Sequence, residues 1–168
     1  MICGEGYITP QHQGSHSCGA TYNKDIFTRE VRDEDHQANI AQISATDSGL
    51  AAAVGQPAIE TLSGRANFRC TTADYLPITG ALPNVPEMLE DYAILRRDAK
   101  TVVPTRGSYL PNLYVNCGMG SRGLSYAPLC AEILAAQIAG ETPPLEQELV
   151  NAMNPARFII RDLKRKRI

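Results

Sequence analysis

The order of apolar and polar positions divides the chain into short extended runs, helical stretches, and a second series of each. Residues 2–9 (ICGEGYIT) and 17–22 (SCGATY) are rich in β-forming residues. Pro10 and Gly14 mark the connection, so the pattern predicts a hairpin-like pair. Residues 33–48 (DEDHQANIAQISATDS) read as a helix, with Asp33 or Asp35 placed to cap it. Its acidic first turn suits the helix dipole, and Ile40 and Ile43 supply a sparse apolar face. Ala51 to Val54 is small and apolar, and Gly55-Gln56-Pro57 ends any helix there. Residues 65–70 (RANFRC) and 75–80 (YLPITG) read as extended, with Pro77 making the second an edge or irregular run. Residues 81–86 (ALPNVP) read as a loop. Residues 87–98 form a weak helix with Met88, Leu89, Tyr92 and Leu95 at helical spacing. Pro104, Gly107 and Pro111 make 101–112 a loop.

The strongest pattern comes next. Leu113 to Cys117 is a short apolar strand, Gly118-Met119-Gly120-Ser121-Arg122-Gly123 a glycine-rich turn, and Leu124 to Ala139 a helix. Leu129, Ile133, Leu134 and Ile138 are its expected buried face. Pro128 falls early, where a missing N–H costs least, and Gly140 is a natural stop. Residues 145–152 and 155–164 form two short helical stretches split by Asn154-Pro155. The fold class is therefore α+β, a mixed α/β chain.

Composition narrows the function classes. The 168 residues are 43% hydrophobic and 20% charged, enough to bury a core. Sixteen Lys and Arg against 18 Asp and Glu give a net charge of -2, which excludes a generally DNA-coating protein. No apolar run is long enough for a membrane span, and the first residues carry no secretory pattern, so the expectation is a cytoplasmic protein. Five cysteines at wide spacing, with no CxxC, fit reduced thiols. Cys3, His12, His16 and Cys18 cluster in sequence, but their spacing matches no zinc module, and no metal site is expected.

Glycines allow backbone N–H groups to approach a ligand, and the helix N-terminus behind them favours negative charge. The turn at 118–123 therefore suits a phosphate, a carboxylate or the electron-rich edge of a flavin ring. No GKS or GKT follows, so it is not a Walker A loop. GMGSRG matches GxGxxG, but no acidic residue stands at a strand end about 20 residues on. Glu141, Glu146 and Glu148 lie in a proline-broken stretch. A tight packing turn between strand and helix would also use two of the three glycines.

Two longer motifs carry a family resemblance. Arg69-Cys70-Thr71-Thr72-Ala73-Asp74-Tyr75-Leu76-Pro77-Ile78-Thr79-Gly80 resembles the R-x-x-T-x-D-x-x-P-x-x-G signature of the D-amino-acid oxidase and glycine oxidase class of flavoproteins. Asn112 to Leu124, continuing to Ala127-Pro128, resembles the closing flavin motif of that class. Together with the opening GYITPQ…HSCGATY and the tail NPARFIIRDLKRKR, they are similar to the family of bifunctional tRNA 5-methylaminomethyl-2-thiouridine biosynthesis proteins. The resemblance implies a partial D-amino-acid-oxidase-like fold. Residues 1–105 would be part of the substrate domain, and residues 106–168 would hold the last strand and helix of the FAD domain with a basic helical tail.

The same resemblance implies FAD as cofactor and tRNA as partner. In that family an oxidase domain removes the carboxymethyl group from carboxymethylaminomethyl-uridine at the wobble position. A methyltransferase domain then methylates the exposed amine. Nothing in the chain resembles the methyltransferase or the N-terminal fingerprint that holds the ADP half of FAD. The expectation is a portion of a longer enzyme, weak in FAD binding and inactive by itself, with its missing halves as partners and self-association through exposed sheet edge. The alternatives are a portion of a glycine-oxidase-like amino-acid oxidase and a non-catalytic RNA-binding module.

Residue roles follow from that resemblance. Arg69 stands where the class places a substrate-carboxylate arginine; a structural ion pair, for example with Asp74, is the alternative. Gly118, Gly120, Ser121, Arg122, Gly123 and Leu124 would line the flavin ring. Asp74 is expected to fix the turn before Tyr75 rather than to transfer protons. Tyr7, Tyr22, Tyr75, Tyr109, Tyr114 and Tyr126 offer pocket walls, with nothing in the sequence to single one out. Arg157, Arg161 and Lys164 share roughly one helix face. Arg161, Lys164, Arg165, Lys166 and Arg167 are candidates for tRNA phosphates; a solvated helix end is the alternative reading.

Overall fold

A computed structural model describes all 168 residues and divides them into two compact units, Met1–Phe68 and Arg69–Ile168. Helices and strands mix along both.

In the first unit the glycines of residues 2–9 break the expected single strand. β1 (Ile2–Cys3) turns at Gly4–Gly6 and pairs antiparallel with β2 (Tyr7–Ile8), which pairs antiparallel with β3 (Cys18–Gly19). The expected hairpin is the β2–β3 pair, closed where His12 and Ser15 exchange backbone hydrogen bonds of 2.8 and 3.0 Å. α1 (Asp33–Thr46) packs on this sheet, with Ile8 and Ile43 buried. Neither Asp33 nor Asp35 caps it. The N-cap is Arg32, and the Asp35 carboxylate instead accepts from Arg32 Nε at 2.9 Å and Asn23 Nδ2 at 2.8 Å. α2 (Ser48–Val54) follows, its N-cap Asp47 accepting the Leu50 N–H at 2.7 Å, and it ends at Gly55. Residues 65–70 form no strand.

The second unit is built on one antiparallel pair, β4 (Ile78–Pro83) and β5 (Tyr109–Cys117), in the register Ile78↔Cys117 to Ala81↔Tyr114. Both strands run into segments that local sequence marks as loops. The next pair is Pro83↔Tyr109, so residues 110–113 bulge out of the ladder. That bulge accommodates Pro111, which has no N–H to give, and Asn112 in the left-handed region at φ 56°. α3 (Val85–Asp91) and a 3-10 turn (Ala93–Arg96) occupy the weak helical stretch and bury Met88 and Leu95.

α4 (Gly123–Ala139) crosses the strand pair and stops at Gly140. Its buried stripe is Cys130, Ile133 and Ala136, whereas Ile138 is 58% exposed and Leu129 and Leu134 are only partly covered. Close approach to β4 explains the shift toward small residues. Thr79, fully buried, donates its hydroxyl to the Cys130 carbonyl at 3.1 Å, and the Gln137 amide lies against Gly80. Pro128 is the sixth residue of α4, so the missing N–H leaves the Leu124 carbonyl without its helical donor at an exposed position. α5 (Gln147–Met153) completes a cluster of Cys130, Ile133, Val150 and Met153. α6 (Arg157–Lys164) buries Leu163 and packs on α3 and the 3-10 turn.

Candidate functional site

β5 delivers the chain into the turn at 118–123, and α4 begins immediately behind it. Gly118 and Gly120 adopt φ of 73° and 59°, the left-handed region that glycine enters without steric cost. At Gly118 space is a second constraint, because a Cβ there would lie 2.9 Å from the Thr72 methyl. The turn is thus fitted against the 69–76 segment. The Gly120 N–H donates to the Cys70 carbonyl at 3.0 Å, and Thr71 bridges Met119. Two motifs about fifty residues apart in sequence form one contiguous structure.

The 72–76 segment is a hydrogen-bonded knot. The Tyr75 N–H donates to the Thr72 carbonyl at 3.2 Å, and Tyr75 sits at φ 60°. The Thr72 hydroxyl lies 2.7 Å from the Leu76 carbonyl and 3.0 Å from Asp74 Oδ1, and the Leu76 N–H donates to Asp74 Oδ1 at 3.3 Å. The far side of Asp74 is taken by Arg157 at the start of α6. Arg157 Nε donates to Oδ2 at 2.9 Å, and Nη2 donates to Oδ1 at 3.0 Å and to the Leu76 carbonyl at 2.9 Å. Nη1 reaches the carbonyls of Met153 and Asn154 at 3.1 and 3.4 Å. Hydrogen bonds from Arg157 hold the Asp74 carboxyl well below the usual carboxylate range. They outweigh desolvation, which acts in the opposite direction, and Thr72, the Arg157 charge and the Leu76 N–H lower it further. A carboxylate held ionised in this way fixes the turn and is a poor proton carrier.

The head of α4 is open. Leu124 is 99% exposed, and Ser121 and Arg122 are exposed beside it. The N–H groups of Ser121, Gly123 and Leu124 have no acceptor within the protein, as expected of the first turn of a helix. Arg122 Nη1 donates to the Tyr126 hydroxyl at 3.2 Å, which places the guanidinium along the first turn. Arg69 is exposed and directly precedes Cys70, so it stands at the edge of the same surface.

The region matches the model of a known family over residues 1–137, described as FAD dependent oxidoreductase. The chain belongs to that family. Its mixed architecture is a partial D-amino-acid-oxidase-like fold. Three curated relatives bear the same name, "tRNA 5-methylaminomethyl-2-thiouridine biosynthesis bifunctional protein MnmC". The chain is 43% identical to the one from Saccharophagus degradans, over 99% of this chain and 23% of that protein. It is 42% identical to the one from Chromobacterium violaceum, over 100% of this chain and 26% of the relative. It is 41% identical to one from Pseudomonas putida, over 98% and 25%. The chain therefore spans about a quarter of the length of the curated relatives it matches.

The turn is chemically suited to an anionic or electron-rich group. Three glycines carry no side chain that would cover the turn, and three N–H groups without a protein acceptor lie at the start of α4. No three His, Cys, Asp or Glu side chains group as a metal-ion site, and His16 Nδ1 lies 2.9 Å from the Thr9 carbonyl. No helix is long and apolar enough to cross a membrane.

The candidate cations are treated unequally by the fold. Arg157 is only 12% exposed and bonded to Asp74. Arg161 lies 3.8 Å from Asp74 and Arg167 lies 3.9 Å from Asp162, while Lys164, Arg165 and Lys166 are exposed. Arg157 and Arg161 stack on the Phe158 ring at 4.2 and 4.8 Å. The role of Arg157 as the partner of Asp74 is the feature that sequence reasoning missed. No local signal marks a pair separated by 83 residues.

Proposed function

We propose that this chain is the C-terminal portion of an FAD-dependent oxidoreductase that converts carboxymethylaminomethyl-(2-thio)uridine at the tRNA wobble position to the aminomethyl form. The observation that carries the proposal is the Gly120 N–H to Cys70 carbonyl bond. It sets the 69–76 segment against an open glycine turn at the head of a 17-residue helix. Gly118, Gly120, Ser121, Arg122, Gly123 and Leu124 would line the flavin ring, with backbone N–H groups facing its electron-rich edge. Arg69 would pair its guanidinium fork with the glycine-like carboxylate of the modified base. FAD, when bound, supplies the two-electron oxidation of the substrate C–N bond, after which water releases glyoxylate and leaves the aminomethyl group. Residues 1–105 would belong to the substrate domain and 106–168 to the FAD domain. The rest of the cofactor domain and a methyltransferase domain would complete a cytoplasmic enzyme.

Three measurements test this. A protein of the relatives' full length carrying this chain should release glyoxylate from tRNA bearing the modified base and turn over free glycine or sarcosine far more slowly. The reverse preference would assign it to amino-acid oxidation. Arg69→Gln should raise KM for the tRNA with little change in flavin absorption; an unchanged KM removes Arg69 from the site. The 168-residue chain alone should hold FAD weakly, because its one strand–GxGxxG–helix, at 113–139, would be taken by the flavin ring and it carries no second such unit for the ADP half. Stoichiometric FAD in the purified chain would refute that expectation.

A further inference from the structure

α5, α6, the turn after α3 and the start of β5 enclose an open cleft of about 630 Å³ in the second unit. Its walls carry Tyr92, Tyr109, Asn151, Arg161, Lys164 and Arg165 among others, and no acidic side chain lines it. In a chain of net charge -2 this is a local concentration of positive charge. Lys164 and Arg165 are exposed, and neither side chain is engaged in an ion pair. Arg161 is 30% exposed and stacks on Phe158, with its unpartnered Nε buried, so it meets the cleft through the rest of its guanidinium. Its distances to Asp74 and Asp162 are both 3.8 Å, beyond hydrogen-bond range, and its Nε has no hydrogen-bond partner. Lys166 and Arg167 do not line the cleft, and Arg167 lies near Asp162.

We infer that this cleft is a binding site for a single-stranded stretch of RNA, distinct from the glycine turn. Arg161, Lys164 and Arg165 would meet backbone phosphates, and Tyr109 and Tyr92 would present ring faces to unstacked bases. Cations alone would suit any anion. Cations beside two tyrosines and an asparagine amide, inside a concavity, match the combination that holds unpaired nucleotides. An acidic protein segment would use the cations and leave the aromatic faces without a purpose. The choice of RNA rests on the proposed tRNA substrate, and the site would anchor that substrate away from the reacting base.

The test compares two double variants of the full chain that remove the same charge. A labelled, uridine-rich single-stranded oligoribonucleotide is titrated at low salt and followed by anisotropy. Lys164→Gln with Arg165→Gln should weaken binding about tenfold or more and reduce the salt slope by about 1.4. Lys166→Gln with Arg167→Gln should change affinity less than about threefold. Tyr109→Leu should cost about fivefold, and Tyr109→Phe, which keeps the ring, should bind normally and report that the strand is intact. Equal losses in the two double variants would overturn the cleft while leaving tRNA as the substrate. No RNA binding by the folded chain would also overturn it, as would a poly-glutamate peptide bound equally well with the same variant pattern. Glyoxylate release by the longer protein is read separately, so failure of the oxidoreductase reading is distinguishable from failure here.

Discussion

Breaking the Asp74–Arg157 pair is the sharpest perturbation of the candidate site. Arg157→Met keeps much of the aliphatic stem but deletes five hydrogen bonds, two of them to a carboxylate that is 28% exposed. Removing one partner of a fully buried pair costs about 3–5 kcal/mol. Partial exposure of Asp74 reduces the expectation to about 2–3 kcal/mol. Urea unfolding of the wild type, Arg157→Met, Asp74→Asn and the double variant forms a cycle, in which the coupling should be about 1.5–2.5 kcal/mol. Acid provides an independent check. The Asp74 carboxyl titrates lower folded than unfolded, so its contribution is complete above the unfolded value and is lost as pH falls toward the folded one. The gap between wild type and Arg157→Met should therefore narrow by about 1 kcal/mol between pH 7 and pH 3. A coupling below about 0.5 kcal/mol, or a gap that does not change with pH, would refute the account of this pair.

Gly118→Ala should destabilise the second unit by more than Gly120→Ala in the same urea assay. Both carry the left-handed cost of about 1–2 kcal/mol, but only at Gly118 does the new Cβ crowd Thr72. Thr79→Val should lose about 1 kcal/mol through its buried hydroxyl bond to Cys130, with no change in secondary structure by circular dichroism. Native-state alkylation followed by mass spectrometry should leave Cys130 untouched until urea unfolds the chain, because it is fully buried. Cys117 should react only as pH rises, since burial and the neighbouring Cys70 push its thiol up.

Elements specified by short-range signals were legible in the sequence. The strand–glycine turn–helix at 113–140 needs only apolar neighbours, three glycines and a terminal Gly140, all adjacent in the chain. α1, α5 and α6 likewise follow their local periodicity and breakers. The extension of β4 to Pro83 was not legible, because ALPNVP carries the composition of a loop and pairs only because β5 lies beside it. The face of α4 was misread for a related reason. Apolarity favoured Leu134 and Ile138, whereas the tight approach of Thr79 and Gly80 selects Cys130 and Ala136.

By itself, then, the sequence determined the mixed architecture, the glycine turn and, through its two motifs, the family. Those properties reside in residues close together in the chain, where propensity and spacing act without help from the rest of the fold. Tertiary structure decided what those residues touch. It placed Gly120 on Cys70, gave Asp74 to Arg157 and gathered Arg161, Lys164 and Arg165 around two tyrosines. Each of these joins segments separated by tens of residues. Hydrogen bonds and ion pairs act over a few ångströms, so no local pattern could identify the partners before the chain had folded.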